Sequence, residues 1–114
     1  MNKDIATDLL RRTALEMKDL RVGDPATQEP AARSFAEFVV GLQKLAEGLA
    51  MALDDSVKDH GSLALNQAYK SFYTVGQLSD KGGSSELAEL GIGCAGITGA
   101  LFWLFFSKAP AQPW

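Results

Sequence analysis

Residues 90–106 form a run of seventeen without a single charge, in which Thr98 is the only conventional polar side chain. As a helix, seventeen residues reach roughly 26 Å, a little short of a hydrocarbon core of ~30 Å. Extending the helix over 87–107 brings it to roughly 31 Å, with Glu89 near one interface and Lys108 just past the other. Trp103 and Trp114 then stand as interfacial aromatics at the downstream end. Gly82-Gly83 breaks the preceding helix, Ser84 or Ser85 supplies a cap, and Glu86 complements the new helix dipole. Pro110 and Pro113 close the exit. The spacing predicts one helix, about 85 to 107.

Glycines penalise such a helix in water by about 1 kcal/mol each relative to alanine, and this one has four. In a membrane or a tight assembly the same residues let backbones approach closely. Gly91, Ala95 and Gly99 follow at i, i+4 and i+8, and Gly96 with Ala100 adds a parallel small-xxx-small pair. These five form the expected helix-packing interface. The bulky end, Leu101, Phe102, Trp103, Leu104, Phe105 and Phe106, is the expected membrane or partner anchor. The competing expectation is a fully buried helix in a soluble α-helical assembly. The run lies at the far end from a secretory leader, and the first 20 residues are charged and amphipathic, so no N-terminal targeting sequence is expected.

Gly91-x-Gly93-x-x-Gly96 matches the spacing of a dinucleotide-binding fingerprint. That fingerprint needs a strand before it and an acidic residue about 20 positions on, and the sequence offers neither. Nucleotide binding is not expected.

The rest of the chain reads as amphipathic helices. Over 3–21, Ala6, Leu10, Ala14, Met17 and Leu20 make an apolar stripe widened by Ile5 and Leu9, with Asn2 as cap. Val22-Gly23-Asp24-Pro25 is turn chemistry, and Glu29-Pro30 starts a second helix. There Phe35, Phe38, Leu42, Leu45, Leu49 and Ala52 alternate three and four apart, broadened by Val39, Ala46 and Leu53. That helix is expected to continue to His60 and stop at Gly61. A third, over 62–79, carries Leu65, Ala68, Phe72 and Val75, followed by a flexible joint at Asp80-Lys81-Gly82-Gly83. Gly41 and Gly48, seven apart, suit a close helix crossing.

The expected fold is all-α: a small antiparallel three-helix bundle (1–81), a Gly-Gly hinge (82–84), a hydrophobic C-terminal, transmembrane-length helix (85–107) and a short tail (108–114). No enzyme is expected, because no nucleophile–base pair or paired inward carboxylates can be named. No cofactor is expected either. Asp55, Asp59 and His60 lack a second histidine and a shared helix face, so no metal site follows. Tyr69, Phe72 and Tyr73 have no surrounding Lys or Arg beyond Lys70, and the charges behind the net −3 are interspersed, so nucleic acid is not expected as a partner. Cys94, the single cysteine, has no partner for an intramolecular disulfide.

Ten of the eleven Lys and Arg precede the apolar run, which predicts a tail-anchored protein with its N-terminal domain cytoplasmic. The sequence therefore favours a non-enzymatic, membrane-anchored assembly or adaptor subunit, binding a protein partner or copies of itself. Its alternatives are a soluble structural subunit of a large secretion or viral assembly, cytoplasmic or particle-associated, and a small pore-forming or lysis protein.

Overall fold

The computed structural model describes residues 3–19 and 29–106, and those residues are mainly helical with no strand among them. Four helices follow in order: α1 (Lys3–Asp19), α2 (Pro30–Ala52), α3 (Lys58–Leu78) and α4 (Ser85–Phe106). The readings made for Asn2, for residues 20–28 and for the tail beyond Phe106 fall outside the described residues.

Each helix packs against the one before it in the chain, and α2 also touches α4. The start of α1 lies by the end of α2, where Arg11 and Lys3 meet Asp54 and Asp55. Gly48 of α2 meets Leu65 of α3, and Gly91 of α4 meets Val75 of α3, so the path runs up and down. The result is a slab of 41 × 34 × 21 Å. Its thickness is about two helix diameters of ~10–12 Å.

Small residues set the spacing between α2 and α3. A Cβ on Gly41 would meet the Phe72 ring at 2.6 Å, and one on Gly61 would meet the Gly48 carbonyl oxygen at 2.8 Å. The core forms where this approach is closest: Ala68, Phe72 and Ala95 pack with Phe38, Leu42, Leu45 and Cys94 around them. Phe38 meets Phe72 edge-on, with ring centroids 5.7 Å apart. The seam expected along α2 largely holds. Phe38, Leu42, Leu45 and Ala52 keep their inward place with Val39 and Ala46, Ser34, Gly41 and Gly48 join the buried face, and Phe35 is exposed.

One expected boundary is corrected. The second helix does not run on to His60 but ends at Ala52. Asp54 draws the chain out of helix by accepting hydrogen bonds from the Ser56 amide at 3.1 Å and the Ser56 hydroxyl at 2.7 Å, a local bond that competes with the helical ladder. His60 therefore sits in the first turn of α3, and Gly61 is a buried packing residue rather than a helix stop. The joint before α4 is a hydrogen-bonded turn. Gly82 adopts φ 94°, Gly83 N–H donates to the Leu78 carbonyl at 2.8 Å, and Ser84 N–H donates to the buried Ser34 hydroxyl at 3.3 Å. This is a glycine-terminated helix end with its orphan carbonyl satisfied. The Ser84 hydroxyl then caps α4, accepting from Leu87 N–H at 3.2 Å.

Candidate functional site: the two faces of the C-terminal helix

The antiparallel run of α4 along α3 divides α4 into a covered face and an open one. Ala88, Gly91, Ala95 and Thr98 are buried. A Cβ on Gly91 would lie 2.8 Å from the Phe72 carbonyl oxygen and 2.9 Å from Val75, so glycine is what lets the two backbones meet. Thr98 is fully buried and donates its hydroxyl to the Cys94 carbonyl at 2.7 Å, which removes the cost of a polar group there. Ile92 reaches across to Gly76 of α3, where a Cβ would lie 2.9 Å from it.

The five residues expected as one packing interface are thus split. Gly91 and Ala95 face α3 of the same chain. Gly99 is half-buried, and Gly96 and Ala100 are exposed. Of the expected anchor residues, Trp103 and Leu104 are exposed, while Leu101, Phe102, Phe105 and Phe106 are half-buried and keep one side covered. Phe102 and Phe106 pair with each other, centroids 5.5 Å apart.

The open face carries a row that the sequence reading did not single out. Leu90, Gly93, Ile97, Ala100 and Leu104 follow three and four apart, and all five are exposed. Leu90 is 56% exposed, Ile97 59% and Leu104 75%. Among the described residues, nothing beyond the helix's own backbone lies within 4 Å of a Cβ placed on Gly93 or Gly96. The signal was present as a heptad alternation of large and small residues, masked by the more conspicuous glycine spacing on the other side. Beside this row, Tyr69 and Tyr73 of α3, stacked at 6.2 Å, overhang Ile92, Ala95, Gly96 and Gly99 to form a groove of ≈ 400 Å³.

The polar surface offers less. Arg11 and Asp54 pair at 2.6 Å at the far edge of the slab, and the Ser56 hydroxyl and amide, then Arg11, hold the Asp54 carboxyl below the usual carboxylate range. His60 is exposed, and no cluster of three or more His, Cys, Asp or Glu suited to a metal occurs among the described residues. Compared with known proteins, the chain matches no family model, no curated protein and no solved structure.

Proposed function

We propose that this protein is a non-enzymatic helical assembly subunit, and that α4 is the element joining it to a larger structure. The observation that carries the reading is a mismatch between composition and burial. The most hydrophobic stretch of α4 has a mean hydropathy of 1.6, yet only 22% of it is buried in the fold. A helix apolar on every side belongs in a protein interior or a membrane. Leu90, Ile92, Ile97, Trp103 and Leu104 are all exposed. Covering a fully exposed side chain of this kind contributes roughly 1.5–3 kcal/mol, and a partner that hid these would recover part of that at each, set against the cost of association.

The packing of α4 favours a protein partner. Leaving α3 would uncover Phe72 and Val75, and α3 itself exposes Asn66, Gln67, Lys70 and Gln77. Such groups are costly in hydrocarbon, so the folded slab suits contact along one face better than immersion on all sides.

Length supports a second reading. α4 is long and apolar enough to cross a membrane. In that case α4 parts from α3 and anchors the other three helices on the cytoplasmic side, as a membrane-bound adaptor. Fractionation of cells expressing the full chain separates the two. Protein that stays soluble in plain buffer as a defined oligomer supports the assembly subunit. Protein that sediments with membranes and resists carbonate extraction supports the anchor, and a soluble monomer at working concentration sinks both.

A further inference from the structure

The open face of α4 is self-complementary, and we propose that its occupant is α4 of a second copy, packed antiparallel about a two-fold axis at Ile97. The inference rests on the assembly reading above and names its partner. Leu90 and Leu104 stand seven residues on either side of Ile97, so reversing the helix places leucine on leucine and isoleucine on itself. The same reversal brings in Leu101 and Cys94, half-buried at the border of the row: Gly93 stands opposite Leu101, a small residue facing a large one, and Ala100 opposite Cys94, two small residues. That is the condition for one patch to serve both members of an isologous pair, with knobs seated in the gaps of the facing helix.

Charge selects the antiparallel direction. Glu86 and Glu89 are exposed at the N-terminal end of α4, and no further charge occurs in the helix. A parallel pair in register would bring four carboxylates together and align both helix dipoles. An antiparallel pair moves the carboxylates to opposite ends and sets the dipoles head to tail. The next charge in the sequence is basic: Lys108 follows Ile97 by as many positions as Glu86 precedes it. The seam is also accessible, since it points away from α3 and none of its five residues is buried.

Cysteine cross-linking of the full-length chain in detergent-free buffer tests this, in a Cys94→Ala background. Ile97→Cys is expected to give a disulfide-linked dimer on mild oxidation. Leu90→Cys and Leu104→Cys are each expected to stay largely monomeric when oxidised alone and to cross-link when mixed. Ile97→Arg, at a site already open to water, is expected to shift the native species from dimer to monomer with its helical circular dichroism intact. Efficient self-linking by Leu90→Cys alone indicates a parallel pair and overturns the proposal, while leaving the assembly reading standing. A stable oligomer that Ile97→Arg does not alter also overturns it, because the chain then assembles through another face. A monomer in plain buffer, or protein found only in membranes, overturns both.

Discussion

At the scale of single residues, the glycines of this chain are not equivalent, although their spacing makes them look so. Gly61 faces backbone: a Cβ there would stand 2.8 Å from the Gly48 carbonyl oxygen and 3.0 Å from the Ala52 nitrogen, neither of which can swing aside. Gly96 faces open space. Gly61→Ala is therefore expected to destabilise the fold by about 1–3 kcal/mol, the usual cost of overpacking. Gly96→Ala is expected to stabilise it by about 0.5–1 kcal/mol, through helix propensity alone. Urea unfolding of both variants beside the parent checks the pair, and equal effects would show that α2 and α3 do not approach at Gly61 as described. The sequence could not make this distinction. Gly91 and Gly96 belong to the same run and fit the same small-residue patterns, and only the contact with Phe72 and Val75 tells them apart. Phe72 itself is fully buried, at the meeting of α2, α3 and α4. Its replacement by alanine is expected to cost about 3–5 kcal/mol, measured in the same unfolding experiment.

At the scale of elements, existence and type were legible while one boundary was not. The hydrophobic spacing of α1, α2 and α3 and the seventeen-residue run placed four helices correctly, because a period near 3.6 reports a buried stripe whatever its partner. The end of α2 was missed because Asp54, Asp55 and Lys58 are tolerable helix residues, and the decisive bond from Ser56 to Asp54 is visible only in three dimensions. That turn also holds α1, which packs on α2 and is tied to the turn through Arg11. The Asp54 carboxyl sits below its ordinary range, chiefly through the Ser56 hydroxyl and amide and then Arg11. A carboxyl that binds its proton more weakly when folded adds stability above the ordinary range and loses it as pH falls through the depressed value. Stability is therefore expected to decline below about pH 4, and Asp54→Ala should flatten that part of the profile. Thermal melts of parent and variant between acid and neutral pH check it. An unchanged acid slope would mean that other carboxylates govern the decline.

At the scale of the whole molecule, the question is whether α4 belongs to the fold or only follows it. The sequence suggested a three-helix head, a slack joint and a separate greasy helix, since length and charge gave no hint that the head lacks a lid. Ala95 nevertheless completes the core with Ala68 and Phe72, and Gly83 N–H is tied to the Leu78 carbonyl at 2.8 Å. Stopping the chain after Gly82 would open one side of Phe72, Val75 and Ala68 to water. The remaining three helices are too small to absorb that loss easily, since a core of this size rarely supplies more than about 3–5 kcal/mol. The truncated chain is thus expected to unfold at a lower urea concentration than the full chain, with a shallower transition and binding of a hydrophobic dye in the absence of denaturant. If it unfolds at the same midpoint with the same steepness, the contact along α3 contributes nothing and α4 is free to leave, which is what a membrane anchor requires. If it loses cooperative folding, α4 is held by the head on one face, and only its open face is left to recruit a partner.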